Sequence, residues 1–170
     1  VSRSSKHASF AWVAPPNVPS DAIVVFARSD DYFGGVLQSR PHDVWSRRKG
    51  TQVREAESGF RYSHTMTFET FPMPWQPGEE PVDDPLYKRI AEAARELDEL
   101  RERALNPDPP PEPEEVKKLT LTNLYNRMKA GELTWLANAH EKLDRAVFAA
   151  YGSLNPPAPF SQALEKGESI

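Results

Sequence analysis

Apolar and polar positions along the chain change period several times, and the changes divide it into elements. Ala8 to Ala14 alternates loosely around Phe10 and Trp12 in strand fashion and runs into a Pro15-Pro16-Asn17 turn. Ala22 to Arg28 is a continuous β-branched and aromatic run, the length of a strand buried on both faces and too short for a helix. Ser29 or Asp30 can cap a helix starting near Asp31, with Tyr32, Phe33, Val36 and Leu37 sharing one face. Pro41 removes an amide donor and clashes with the preceding turn, so a kink or restart is predicted there. Val44, Trp45 and Arg48 belong to the second part, which Gly50 ends. A polar stretch then reaches Gly59, and Arg61 to Phe71 returns to Thr, Tyr, Phe and Met in strand-like composition.

The second half reads as helical. Asp84-Pro85 is a cap followed by proline at the first helical position, and Leu86, Ile90, Ala93, Leu97, Leu100 and Ala104 repeat at four and three. Such a narrow seam requires a partner helix, and Asn106-Pro107 stops this one. Pro107, Pro109, Pro110, Pro111 and Pro113 form a stiff connector of polyproline-II type. A short helix is predicted from about Thr122 to Ala130. A longer one, capped by Thr134 and ended by Gly152, carries Leu136, Ala139, Leu143, Val147 and Ala150 on one face. The Pro-, Ser- and Glu-rich tail beyond is expected to be poorly ordered. The fold class is therefore α+β: a small mixed strand and helix segment followed by an α-helical hairpin or bundle. The divisions are 1–77, an acidic helix and connector at 78–118, a helical domain at 119–152 and a tail at 153–170.

Composition narrows the chemistry. A chain of 170 residues, 38% hydrophobic, can bury a core, and no apolar run approaches the ~20 residues that cross a bilayer. No membrane partner is expected. Cysteine is absent, which removes disulfides, thiolate zinc sites and thiol nucleophiles and fits a reducing cytoplasm. Val1 follows neither an initiating Met nor a signal-peptide pattern, and reads as a cut end inside a longer polypeptide. His7, His42, His64 and His140 lack metal-ligand spacing and most are expected at the surface or the core edge, so neither a metal nor a cofactor site is assigned to the chain. No nucleotide-binding, zinc-protease or nucleophile-elbow motif occurs, and no catalytic residue is assigned. Asn155-Pro156-Pro157 lacks the aromatic that would stack on a flipped base, because Ala158 follows it.

The formal net charge of −4 conceals a local excess of the opposite sign. Between residues 40 and 61, six Lys and Arg face Asp43, Glu55 and Glu57. Guanidinium groups bind phosphate oxygens and reach guanine edges, while amide and hydroxyl groups read other bases. Arg40, Arg47, Arg48, Lys49, Gln52, Arg54, Arg61, His64 and Thr65 are accordingly the candidate DNA-binding residues. A solvated helix face would carry similar charge, and charge alone does not separate the two readings. Trp45, Phe68, Phe71 and Trp75 read as core rather than base-stacking platforms.

Longer strings add a resemblance. Ser5-Lys6-His7, Phe10-Ala11-Trp12 and the run from Ile23 to Arg40 resemble the target-recognition region of the MmeI-like adenine-specific DNA methyltransferases, of the type IIL restriction-modification class. His42-Asp43-Val44-Trp45, Gly50-Thr51 and the run from Arg61 to Trp75 resemble that region's ending, where relatives read close to Thr-Phe-Glu-Thr-Phe-Pro-aromatic-Pro. The runs from Leu119 to Asn126 and from Thr134 to Gly152 are similar to its helical C-terminal domain. The chain departs from the family pattern at Gly35, Pro41 and Ser153.

The resemblance implies the DNA-recognition portion of a bacterial restriction-modification enzyme that methylates adenine N6. Double-stranded DNA is then the partner, S-adenosylmethionine the cofactor of the parent enzyme, and an upstream methyltransferase domain of the same polypeptide the catalyst. The chain alone would specify and not catalyse. The alternatives are a helical protein-protein interaction module, resting on the seam from Leu86 to Ala104, and a stand-alone DNA-binding remnant without methyltransferase activity.

Overall fold

The structure is a computed structural model that describes residues 1–52 and 60–152. The segment 53–59, which includes Arg54, and the tail from 153 lie outside the described residues, as do the expectations placed on them. In chain order the elements are β1 (Ser4–Ser5), α1 (Asp31–Gln38), α2 (Arg40–Lys49), β2 (Thr51–Gln52), β3 (Phe60–Arg61), a π-helical turn (His64–Phe68), α3 (Pro85–Leu105), α4 (Pro113–Val116), α5 (Leu121–Lys129) and α6 (Thr134–Gly152). Helix dominates the described residues.

The helix starts follow local chemistry. Asp30 Oδ1 accepts from the Phe33 amide at 2.9 Å, capping α1, and Arg28 holds the same carboxylate at 2.7 Å while reaching Glu80 at 2.8 Å. The restart predicted at Pro41 is present: α1 ends at Gln38, Ser39 adopts extended backbone, and α2 begins with Pro41 in its first turn, where a missing amide costs nothing. One amide orphaned by this restart, that of Arg40, donates to Asp144 Oδ1 on α6 at 2.7 Å. Asp84 caps α3 through the Leu86 amide at 2.7 Å, and Thr120 caps α5.

Three predicted strands take other forms. Among the described residues Ala8 to Ala14 pairs with no strand, and the Phe10 amide donates instead to the Gln38 side chain at 2.9 Å. Ala22 to Arg28 forms one isolated bridge, Ser2 with Ile23, and remains extended without becoming a strand buried on both faces. Only one edge of the segment is paired, by residues 1–3, so Val24 turns inward while Val25 is 62% exposed. Arg61 to Phe71 contributes one strand residue, Arg61, and then coils. Ser63 Oγ accepts from the Met66 amide, the Thr67 hydroxyl donates to the Ser63 carbonyl, and Thr70 Oγ1 donates to the Met66 carbonyl at 2.6 Å. These short hydroxyls offer the backbone local partners in place of a neighbouring strand. The sheet is a three-stranded antiparallel ribbon in the order β1-β3-β2, pairing Ser4 with Arg61, Ser5 with Phe60, Thr51 with Arg61 and Gln52 with Phe60.

The α3 seam finds its partners within the chain. Ile90, Ala93 and Leu97 are buried against both α1 and α6, with Leu136, Leu143 and Val147 fully enclosed, which removes the observation on which an intermolecular pairing rested. α1 sits between the two halves of the sequence, burying Tyr32, Phe33, Val36 and Leu37. Its closest approach is at Gly35, where an added Cβ would lie 2.7 Å from Ala94 Cβ and 3.3 Å from Ile90 Cγ2 and Leu143 Cδ1. Gly35→Ala is expected to push α1 off α3 and destabilise the fold by about 1–3 kcal/mol. Urea denaturation checks this, and an unchanged midpoint would show that the helix pair can separate freely.

Candidate nucleic-acid interface

Residues 1–5 run between two segments. The Val1 ammonium donates to the Val24 carbonyl at 3.0 Å, the Arg3 amide to the Ala22 carbonyl at 2.8 Å, and the Tyr62 amide to the Arg3 carbonyl at 2.9 Å. Arg3 is thereby fixed next to β3, where Arg61 is paired on one side with Ser4 and on the other with Thr51. Lys49 closes α2, its Nζ 5.0 Å from the centre of the Trp45 ring, and Trp45 is held in turn by its Nε1–H on Thr70 Oγ1 at 3.2 Å. The π-helical turn brings Ser63, His64 and Met66 to the same place. The outcome is a cleft of about 300 Å³ lined by Arg3, Lys49, Thr51, Arg61, Ser63 and His64, with Val24, Tyr62 and Met66 as its apolar wall. Among the described residues no carboxylate lines it.

A buried histidine supports that wall. His42 Nδ1 lies 2.8 Å from the Leu37 carbonyl and Nε2 lies 3.1 Å from the Tyr62 hydroxyl. A carbonyl only accepts, so Nδ1 carries the proton and Nε2 accepts from Tyr62. Phe71 and Phe10 meet the imidazole edge-on at 4.8 and 5.5 Å. His42 is therefore fully buried, not at the surface or core edge, because it joins the end of α1 to Tyr62, the residue that follows β3. His7 is also buried, its Nε2 3.0 Å from Asn126 Oδ1, and His140 Nε2 meets the Tyr125 hydroxyl at 2.9 Å.

Burial lowers the pKa of both His42 and His140 to about 4. The fold therefore prefers neutral rings, and their contribution is complete above the unfolded value of 6.5 and lost as pH falls from there towards 4. Asp144 opposes them, since burial raises its carboxyl to about 6 and makes its contribution grow on acidification below that value. Two histidines outweigh one carboxyl, so a net loss of roughly 3 kcal/mol is expected between pH 6.5 and 4. Denaturant midpoints over that range check the sign. His42→Gln, which keeps a donor for Leu37 and an acceptor for Tyr62, should flatten the dependence; an equally steep profile would place the acid sensitivity elsewhere.

The sequence-predicted candidates divide. Lys49, Arg61 and His64 line the cleft, and Thr65 lies at its edge with Oγ1 3.0 Å from Ser63 Oγ. Arg40, Arg47 and Arg48 are on α2 but outside the cleft lining. Arg47 donates to Asp43 Oδ2 at 2.9 Å and towards the Lys6 carbonyl at 3.4 Å, whereas Arg40 and Arg48 are exposed. Gln52 falls within β2. Arg3 was not among the candidates. It stands alone in sequence, and only the register of Ser4 on Arg61 carries it to the cleft.

In comparison with known families, residues 1–75 match the family model described as MmeI, target recognition domain. The match spans β1 to the π-helical turn and every residue lining the cleft, while α3 to α6 lie beyond it. Neither the curated proteins nor the solved structures contain a match to the chain.

Proposed function

We infer the function from one premise: residues 1–75 are a target recognition domain of the MmeI type. In this reading the chain is the sequence-recognising part of a bacterial restriction-modification enzyme acting on adenine N6 of double-stranded DNA. The observation that carries it is the cleft, in which Arg3, Lys49 and Arg61 converge with His64 and no carboxylate among the described residues answers them, inside the matched segment. A polyanion supplies the missing charge. The exposed Arg40 and Arg48 stand on the convex surface of α2, a shape able to approach a groove floor.

The parent enzyme would draw its methyl group from S-adenosylmethionine. The described residues do not fit that cofactor. The Gly34-Gly35 pair lies inside α1, where Trp12 and Ala94 already occupy the space that a glycine cradle leaves for a nucleotide. Methyl transfer accordingly belongs to an upstream methyltransferase domain of the same polypeptide, and this chain holds the duplex so that the chosen adenine can be extruded there. The helical region from Leu119 to Gly152 would brace the reader: α6 holds the α2 amide of Arg40 and the Tyr151 hydroxyl donates to the Pro72 carbonyl at 2.6 Å.

Selection of bound duplexes from a random-sequence pool by the full chain tests this reading. Enrichment of one short sequence is expected. Retention of the pool without enrichment would mean binding without reading, and no retention at low salt would remove the DNA assignment.

A further inference from the structure

We propose that the cleft between Arg3, Lys49, Arg61 and His64 is a seat for the phosphodiester backbone of duplex DNA, setting register without reading bases. The inference rests on the DNA-recognition reading and assigns the cleft its own part in it.

Convergence of charge distinguishes the cleft. Arg28 pairs with Asp30 and Glu80, Arg47 with Asp43, Arg95 with Asp31, Arg101 with Asp98 and Lys142 with Glu96, while Arg40 and Arg48 are exposed on α2 outside the cleft lining. Arg3, Lys49 and Arg61 have no carboxylate partner among the described residues, yet backbone pairing and the Trp45 ring hold them at one cleft. Gathering like charges at one concave site is unfavourable, and their convergence suits an anion that arrives from outside.

Shape selects which part of the duplex enters. Base edges lie at the floor of a groove and are reached by elements that project, such as a helix or a ribbon. A concave cleft receives what projects from DNA, which is the phosphate ridge. Serine and threonine hydroxyls at Ser63 and Thr51 add donors for phosphate oxygens, and Lys49 is a point charge without the fork geometry that pairs with guanine. Val24 and Met66, the latter 53% exposed, offer an apolar flank on which a deoxyribose can lie.

The test is the salt dependence of binding by the full chain to three mixed-sequence 30-base-pair duplexes, for the unaltered protein, Arg61→Ala, Arg61→Lys and Arg3→Ala. Each alanine variant is expected to lower the magnitude of the slope of log K against log salt by about 0.9 and to weaken all three duplexes alike. Arg61→Lys should restore most of the slope, because a phosphate accepts either cation. Unchanged slopes, or a loss confined to one duplex, would overturn the assignment, the second result making Arg61 a base reader. Equal behaviour of Arg61→Lys and Arg61→Ala would overturn it too. Absence of binding by the unaltered chain at low salt would instead bring down the DNA reading itself, and the inference with it. Thermal melting of each variant confirms that the fold is intact.

Discussion

A polypeptide ending at Pro77 is expected to lose its cooperative fold, although it contains the whole target-recognition match and every residue that lines the basic cleft. The reason is the position of α1. Tyr32, Val36 and Leu37 are buried in a core shared with Ile90, Ala93 and Leu97 of α3 and Leu136, Leu143 and Val147 of α6, and Gly35 exists to let Ala94 approach. Each large side chain returned to water forfeits about 1.5–3 kcal/mol, while a domain's whole stability is about 5–15 kcal/mol. Three such losses consume most of it. The cut also removes Asp144 from the Arg40 amide and Tyr151 from the Pro72 carbonyl. Circular dichroism against temperature decides the matter: the 1–77 product should show no sigmoidal transition where the full chain does. A cooperative melt of the short chain would mean that the matched segment has a sufficient core of its own.

The second large effect concerns affinity. Replacing Arg3, Lys49 and Arg61 together by Ala should raise Kd for duplex DNA by roughly two to three decades at ~0.1 M salt, since each lost phosphate contact removes about 0.9 of the slope in log salt. The fold should survive, because all three side chains are exposed. Fluorescence anisotropy with a labelled duplex measures the change. A similar loss from the double variant Arg40→Ala and Arg48→Ala with none from the triple would move the main contact surface from the cleft to α2.

Much of the helical architecture was legible because its signals are local. Asp30 before the apolar face of α1, Pro41 at the restart and Asp84-Pro85 before α3 each act within one turn of the residue that carries the signal. The strands were not legible, because each is two residues long and exists only through its neighbour. The run from Ala22 to Arg28 has the composition of a buried strand but a partner along only one edge, and composition does not supply the other. The same limit explains the site. Lys49, Arg61 and His64 fall in a visibly basic stretch, whereas Arg3 joins them through a register that spans more than fifty residues. His42 was read among scattered histidines because nothing nearby in sequence announces Leu37 and Tyr62 as its two hydrogen-bond partners.

The most direct test of the account is to find where DNA touches the chain. At 19.2 kDa the protein is small enough for assigned amide spectra to be followed as a duplex is added. The expected result is a set of shifted amides at Arg3, Lys49, Thr51, Arg61, Ser63 and along the exposed face of α2, with α3 and α5 unmoved. Shifts centred on α3 or α5, or no shifts at all, would contradict the assignment of residues 1–75 as the surface that meets DNA.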